Sequence, residues 1–293
     1  MANLRDIRKR RKGAANTRKI TRTMELVASA KLKKAQDAAA ASRPYADGLR
    51  DLLNTIAAAT GGRSSPHPLM VARPAKKVAI LLLTADRGLA GAFNTNLIGT
   101  ATARAVEHER AGRAVDIIAV GKKAASTLVF LGRAVRESHV GVTAAPTFAK
   151  AEKLANAAIE RFLAAEYDLV EVVYSRFISP ARQAPDLYTM LPAGQDGAKA
   201  GGGKAVAKAD FIYEPEPEDL LATLIPLTVR SGLFSALLQT NASEHAARRV
   251  AMKNASDAAA DMVKALSSAY NRGRQGKITQ EIAEITGAVE AMA

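Results

Sequence analysis

The sequence predicts an α/β globular domain inserted between long N- and C-terminal helices that form an antiparallel coiled coil. Two stretches, residues 3–40 and about 227–292, have a helical pattern and contain no proline. Between them, apolar runs alternate with helical segments, which is typical of a mainly parallel sheet covered by helices. The entry and exit of such a domain usually lie close together, so the two helices should leave it side by side and run antiparallel.

The N-terminal segment, residues 1–60, is predicted to be a coiled-coil helix with an extension. An apolar stripe at helical spacing marks the face that should meet a partner helix: Leu4, Ile7, Ile20, Met24 and Val27. Pro44 should interrupt this helix, because a mid-helix proline loses a backbone bond and clashes with the preceding turn. A second helix should then run over about 45–59 and end at Gly61-Gly62.

The central segment, residues 75–214, is predicted to be a Rossmann-like α/β domain. Its continuous apolar runs are those expected of strands buried on both faces. The predicted strands are Val78–Leu83, Ala114–Val120, Asp168–Phe177, Asp186–Leu191 and Asp210–Tyr213. Helices should end near Arg110, follow Gly121, and run from Pro146-Thr147 to about Ala165. The Gly/Ala/Lys tract near 193–208 has little to bury, which predicts a mobile loop.

The C-terminal segment, residues 216–293, is predicted to be one long coiled-coil helix. At 1.5 Å per residue it spans on the order of 100 Å, against about 60 Å for the first helix. Its end carries an apolar heptad with 4-3-4-3 spacing: Ile278, Ile282, Ile285, Val289 and Met292. Such a seam normally buries itself against another helix.

Composition excludes several classes of function. The chain has no cysteine, so disulfides, thiol catalysis and Cys-ligated metals are ruled out. Its four histidines are scattered without metal-ligand spacing. No apolar run reaches membrane-spanning length, and no secretory signal follows the basic N-terminus. Residues 1–34 hold twelve Lys/Arg against two acids, or +10 of the net charge of +14, which indicates an acidic partner.

Two other functions are weighed against these patterns. A nucleic-acid-binding coiled coil would use the basic residues 5–34, but the chain lacks aromatic platforms and a reading motif. A nucleotide-using enzyme is suggested by the turn 86–91, which lies between a strand and a helix. That turn forms neither G-x-G-x-x-G nor G-x-x-x-x-G-K-[ST], so fold class alone supports the enzyme. We predict no catalytic, cofactor-binding or metal-binding residue.

Five blocks of sequence resemble the ATP synthase gamma subunit of bacterial type, in the order and spacing of that family. They are NTRKITRTMELVASAKLKKAQ (16–36), TADRGLAGAFN (84–94), IYEPEP (212–217), ASEHAARRVAMKNASDAAADM (242–262) and YNRGRQGKITQEIAEITGA (270–288). The resemblance runs from residue 3 to 292. It implies a rotor shaft whose coiled coil threads a ring of alternating alpha and beta subunits, with the α/β foot on the c-ring beside the epsilon subunit.

The resemblance also implies which residues make contacts. Residues expected to contact beta subunits are Met24, Lys31, Lys33, Lys34, Arg248, Arg274, Gln275 and Thr279. Tyr213 and Glu214 match positions at the foot that contact the c-ring and the epsilon subunit. The end of the last helix becomes a bearing inside the alpha–beta ring, at Ile282, Ile285, Val289 and Met292.

Four positions depart from the usual pattern of the family. Arg11, Gly13 and Ala14 stand where an apolar residue, a small polar residue and another apolar residue are common, and Arg249 stands where the family often has an apolar residue. Glycine inside a helix costs roughly 1 kcal/mol relative to alanine. The departures leave the local packing of the shaft open, but they do not change the resemblance.

Overall fold

The computed structural model describes residues 4–60, 67–194 and 217–292, and the chain forms two compact units. The coil unit comprises Met1–Ala28 and Arg248–Ala293, and the sheet unit comprises Ser29–Ala247. Helix α1 (Leu4–Thr60) and helix α5 (Pro217–Glu290) contribute residues to both units. The predicted architecture, a central α/β sheet domain between two long terminal helices, is confirmed.

A mainly parallel sheet lies at the centre of the sheet unit. Its strands within the described residues are β1 (Lys77–Leu83), β2 (Ala114–Val120), β3 (Glu137–His139), β4 (Leu169–Phe177) and β5 (Gln183–Leu191). Their order is β3-β2-β1-β4-β5, with β5 antiparallel to β4 and all other pairs parallel. The predicted strand at Asp210–Tyr213 and most of the predicted loop at 193–208 lie outside the described residues.

Helices cover both faces of the sheet. They are α2 (Phe93–Arg110), α3 (Lys122–Phe130) and α4 (Phe148–Leu163), and α4 begins at the N-cap Thr147 as the sequence predicts. Alternate side chains of β1 enter opposite cores, because successive residues of a strand point to opposite faces. Leu81 and Leu83 pack in the core with α4 and α5, whereas Ile80 and Leu82 pack in the core with α2 and α3.

The short strand β3 and a 3₁₀ helix, Pro68–Met70, were not predicted. The sequence of β3 is Glu-Ser-His, which has no apolar pattern, and it forms a strand by pairing with the end of β2. The 3₁₀ helix lies in a stretch predicted as a loop and buries Leu69. Both elements depend on contacts with distant parts of the chain, so local pattern alone does not reveal them.

The predicted interruption of the first helix at Pro44 is wrong, since α1 continues through it to Thr60. A proline removes one helical hydrogen bond, here the bond to the carbonyl of Ala40. Both residues are exposed, so that carbonyl can bond to water instead. The second predicted helix is therefore the continuation of the first.

Helix α5 contains a window long and apolar enough to cross a membrane by composition, and a third of that window is buried in the protein. The expectation that no run reaches this length is therefore wrong as a statement about composition. Apolar residues of α5 at Ile225, Val229, Leu233 and Leu237 are buried in the core beneath the sheet. Packing within the protein explains these apolar positions.

The coil unit is an antiparallel pair, because low numbers in α1 meet high numbers in α5. A Cβ on Gly273 would lie 3.1 Å from Cδ2 of Leu4, and the Arg11 guanidinium lies 5.1 Å from the ring centre of Tyr270. Within the coil unit, the described residues of α1 that are buried are the small residues Ala14, Thr21 and Ala28, spaced seven apart. On α5 the buried or half-buried positions follow a 4-3 heptad: Met252, Ser256, Ala259, Val263, Leu266 and Tyr270.

The apolar stripe predicted for α1 is only partly correct. Leu4 and Ile7 are half-buried as expected, but Ile20 is 61% exposed and Val27 is 51% exposed. Small side chains at the seam allow two helices to approach more closely than large ones, since interaxial distance depends on the residues in contact. Between residues 14 and 28 the pair therefore buries the small stripe and leaves Ile20 and Val27 exposed.

Candidate functional site

The crevice in which folds of this class bind nucleotides is filled by α5. Strand order reverses between β1 and β4, and ligands bind at such a switch point. The β1–β4 ladder ends at Leu82 opposite Val173, so Ser175 has no β1 partner. Instead, the Ser175 N–H donates to Thr240 Oγ1 (3.3 Å), and Ser243 Oγ donates to the Ser175 carbonyl (3.2 Å). The switch point therefore serves to attach a helix.

The first turn of α3, which could otherwise receive a phosphate, is also occupied. The amides of Lys122 and Ala124 donate to Asp86 Oδ1 (3.0 Å) and Thr84 Oγ1 (2.9 Å). The second oxygen of Asp86 accepts from the Gly141 amide (3.0 Å). The turn 86–91 is thus a packing junction between the ends of β1, β2 and β3.

A buried ionic cluster joins α2 to β4. The side chain of Glu171 is 1% exposed and accepts two bonds from Arg104, at Nε (2.9 Å) and Nη2 (2.5 Å). His108 Nε2 lies 2.9 Å from the same carboxylate, and Arg113 donates to His108 Nδ1 (3.1 Å), which fits a neutral imidazole with its proton on Nε2. Burial opposes ionisation, but the bonds from Arg104 and His108 outweigh it and lower the pKa of Glu171.

This cluster was not predicted, although the sequence carries a signal for it. Glu171 interrupts the apolar run of β4, and an acid in a buried strand needs a cationic partner. Arg104 lies 67 residues earlier, so the partner is identified only by the fold. The cluster is fully paired inside the chain and therefore holds the domain together.

A cavity of about 180 Å³ opens at the amino-terminal edge of the sheet. Two pairs among its lining residues contact each other: the Tyr167 hydroxyl donates to Asp116 (3.0 Å), and Arg136 lies 3.3 Å from Glu166. Burial and the neighbouring Asp116 raise the pKa of Tyr167 to about 12. The phenol is therefore a stable hydrogen-bond donor to Asp116.

The residues predicted to contact beta subunits lie along α1 and α5. Met24 and Arg248 are half-buried in the coil unit. Lys31, Lys33 and Lys34 are exposed on α1 in the sheet unit. Lys33 forms an ion pair with Asp37 at 2.9 Å, so it offers less net charge than its two neighbours.

Beyond Gly273, α5 continues as residues 274–290, a stretch termed here the overhang. Every described residue of α5 from 271 to 289 is exposed. Arg274, Ile278, Ile282, Ile285, Val289 and Met292 lie on one side of an ideal helix. Gln275 and Thr279 lie one turn apart beside that side, and Thr279 Oγ1 donates to the Gln275 carbonyl (3.0 Å). The predicted seam at the chain end therefore has no partner among the described residues.

The predicted residues do not converge on one site. Arg274, Gln275 and Thr279 come together on the overhang, next to the apolar stripe. Met24 and the three lysines lie elsewhere, along α1, with Met24 half-buried and the lysines exposed. Tyr213 and Glu214 lie outside the described residues. What the geometry presents is a set of exposed helical surfaces.

Comparison with known proteins identifies the family. The ATP synthase family model matches residues 3–292. The ATP synthase gamma chain of Leptospira biflexa is 40% identical over 292 residues, covering 100% of both chains. The chain belongs to the ATP synthase gamma chain family. The gamma chains of Gemmatimonas aurantiaca (40% identity, 100% of this chain and 99% of the relative) and Pelotomaculum thermopropionicum (38%, 100% of both) are similar over the same span.

Solved structures share the fold of this gamma chain. A chain of the Euglena gracilis mitochondrial ATP synthase, OSCP/F1/c-ring, in rotational state 3, superposes with a TM-score of 0.66 at 21% identity. It covers 99% of this chain and 94% of that one. A chain from the central stalk and c-ring of the Tetrahymena thermophila enzyme gives a TM-score of 0.60 at 24% identity, covering 81% and 99%. These structures show that the fold is shared, and the family is that of the ATP synthase gamma chain.

Proposed function

We propose that this gamma chain is the single-copy rotor of a bacterial, proton-driven ATP synthase and couples c-ring rotation to the cycling of the catalytic beta subunits. The observation that carries the proposal is the overhang. A lone helix of this length is marginally stable in water, and its apolar stripe is exposed along its whole length. Such a helix needs a surrounding surface, which a ring of three alpha and three beta subunits would provide.

The exposed basic residues of α1 support a contact with beta subunits. The lysines at 31, 33 and 34 and the arginines nearer the N-terminus are matched in sign to an acidic loop on the catalytic subunits. Charge matching between rotor and stator aids assembly and register more than raw affinity. On the overhang, Arg274, Gln275 and Thr279 would hold a second beta-subunit loop, because the planar fork of arginine can bind a carboxylate with two bonds.

The foot of the rotor is the sheet unit, with Tyr213 and Glu214 as its proposed contacts with the c-ring and the epsilon subunit. The chain would then associate with the membrane only through the complex, at the cytoplasmic face of the bacterial inner membrane. Through these contacts it also helps to regulate ATP hydrolysis and proton flow.

The chain itself would catalyse nothing. The filled switch-point crevice and the capped first turn of α3 support this part of the proposal. Bond making belongs to the beta subunits, and the rotor changes their nucleotide affinity by touching each of them differently at each angle. This is a population shift driven by differential contact, and it requires the rotor to move as one stiff object.

Reconstitution tests the proposal. The chain is mixed with matched alpha and beta subunits, and the purified complex is assayed for ATP hydrolysis, with alpha and beta alone as the control. The rotor function requires stable one-to-three-to-three assembly and stimulated hydrolysis. Turnover by the isolated chain, or DNA binding that survives moderate salt without assembly, would overturn it in favour of an enzyme or a nucleic-acid-binding coiled coil.

A further inference from the structure

Polar residues are concentrated at one point on the buried part of α5. Upstream, Leu233 and Leu237 are apolar and lie in the core. Thr240, Asn241 and Ser243 are then buried together, where an apolar residue would be the ordinary choice. Burying polar groups is unfavourable unless each is hydrogen-bonded, so this change of character needs a physical reason.

Each of these three side chains bonds to main chain at the carboxyl edge of the sheet. Thr240 and Ser243 bond to the two main-chain groups of Ser175 that β1 leaves unpaired (3.3 and 3.2 Å). Asn241 Nδ2 donates to the carbonyls of Thr143 (2.8 Å) and Ala144 (3.4 Å). We call these three α5 side chains the α5 clamp.

The clamp reaches further strands through Thr143. The Thr143 hydroxyl donates to the Thr84 carbonyl at the end of β1 (2.7 Å). Thr84 Oγ1 in turn accepts from the Ala124 amide at the start of α3 (2.9 Å). One continuous set of hydrogen bonds thus connects α5 to β4, to the loop after β3, to β1 and to α3.

Apolar packing alone would leave α5 free to slide or rotate slightly against the sheet, because hydrophobic attraction has no direction. Hydrogen bonds to main chain are directional and weaken steeply when misaligned. They specify both the rotation of α5 about its own axis and its position along the sheet edge. The clamp therefore adds a directional constraint on the rotation and position of α5, which apolar packing in the core does not provide.

We propose that Thr240, Asn241 and Ser243 are positioning residues that transmit torque from the α/β domain to α5. The proposal rests on the rotor function. Each bond contributes a net factor of about two to twelve against a displaced helix, which follows from the usual net strength of a protein hydrogen bond. Removing all of them should raise the population of displaced helices under load on the order of tens of fold.

The experiment measures torsional stiffness in the assembled alpha–beta–gamma complex. The chain has no cysteine, so Phe130→Cys on the exposed end of α3 gives one attachment point for a bead on the sheet unit. With the alpha–beta ring fixed to a surface, the angular variance of the bead reports slippage. The clamp variant combines Thr240→Val, Asn241→Leu and Ser243→Ala, and the control is Leu233→Ala, which weakens apolar packing and keeps every clamp bond.

The clamp variant should widen the angular variance severalfold in this complex and, in the complete membrane-embedded synthase, lower the number of protons pumped per ATP hydrolysed. Leu233→Ala should lower thermal stability with the variance of the parent complex. A clamp variant that assembles with the parent variance and coupling overturns the proposal. Failure of the parent chain to assemble or to stimulate hydrolysis would instead sink the rotor function.

Two single substitutions at Thr240 test the proposal if the triple variant does not assemble. Thr240→Val keeps the shape of the side chain and loses the acceptor for the Ser175 amide, whereas Thr240→Ser keeps the acceptor and loses a methyl group. The clamp requires a wider variance for the valine variant and rescue of the parent value by the serine variant. Equal variances in both would overturn it.

Discussion

Two stretches of α5 belong to one helix but have opposite surroundings. In the sheet unit, residues 236–238 and 240–246 are buried, and Thr240, Asn241 and Ser243 hydrogen-bond to main chain elsewhere in the sheet unit. In the overhang every described residue is exposed, and Met292 near its end is 89% exposed. The first stretch is packed within the chain, whereas the second has an apolar face with no partner among the described residues. A rotor needs both kinds of surface, since one end of its shaft must be fixed to its own domain and the other must be contacted by surrounding subunits.

The largest effect should come from breaking the junction that supports the anchored stretch. Gly121 has φ +112°, and a Cβ there would lie 2.2 Å from the Thr84 carbonyl oxygen. We expect Gly121→Ala to lower the free energy of unfolding by about 3 kcal/mol or more, from backbone strain plus the clash. Urea denaturation measures the change.

Gly112→Ala is the matched control for this prediction. Gly112 also has positive φ (+74°), but nothing lies within 4 Å of its Cβ position. It should therefore show only the conformational cost, about 1 kcal/mol. Equal losses in the two variants would contradict the role of the Thr84 contact.

Shortening the overhang tests the other stretch. Truncation after Gly287 removes Val289 and Met292, and losing the burial of two such side chains costs about 3 kcal/mol in the assembled complex. We expect weaker assembly, seen by native mass spectrometry, and near-normal rotation in complexes that do form. The control is Glu281→Ala, a change beside the apolar stripe. Slower rotation with intact assembly would contradict the bearing.

The buried ionic cluster makes the stability of the sheet unit, which holds the buried stretch of α5, depend on pH. Glu171→Gln should destabilise the sheet unit by about 2 kcal/mol at neutral pH, because it leaves Arg104 without its buried partner. The folded pKa of Glu171 lies below its ordinary value of 4.5. Its contribution is therefore complete above that pH and is lost as the pH falls through the lowered pKa.

Unfolding curves at several pH values measure this contribution. Wild type and Glu171→Gln should converge in acid. Glu107→Gln changes the exposed partner of the same Arg104 and should lie within about 0.5 kcal/mol of wild type throughout. A gap between wild type and Glu171→Gln that stays constant down to acid pH would rule out the carboxylate as its source.

A smaller, functional effect is expected at Met24. A positive charge there would form an unwanted ion pair with the acidic loop of a beta subunit, so Met24→Lys should keep assembly and lower coupling. The measurement is protons pumped per ATP hydrolysed, with Met24→Leu as a control of similar volume. An unchanged ratio in the lysine variant would refute this contact.

The smallest effect is expected at the lysines of α1. Lys31 and Lys34 are exposed and act as part of a shared basic surface, and an exposed ion pair contributes about 0–1 kcal/mol. Lys34→Ala should therefore change ATP hydrolysis and assembly little at physiological salt. A large loss would mean that this lysine makes a specific contact.

Much of the sheet unit could be predicted because buried parallel strands are continuous apolar runs bounded by turns. β2 matches its predicted range, and β1 and β4 differ from theirs by one residue. The candidate contact surfaces were predicted from the family resemblance, since exposed charged residues on a helix do not by themselves distinguish a binding surface from a solvated one. Glu171 and the α5 clamp were missed, because the partners of Glu171, Thr240 and Ser243 lie more than sixty residues away.

By itself, the sequence determined the fold class, the two long terminal helices, the basic first helix and the family, because each follows from local periodicity, composition or long matching blocks. Only the tertiary structure decided which stripe of α1 faces α5. The seam chose Ala14, Thr21 and Ala28 over Ile20 and Val27. The reason is that the distance between two packed helices depends on the surfaces of both, whereas the pattern of one helix describes only its own surface.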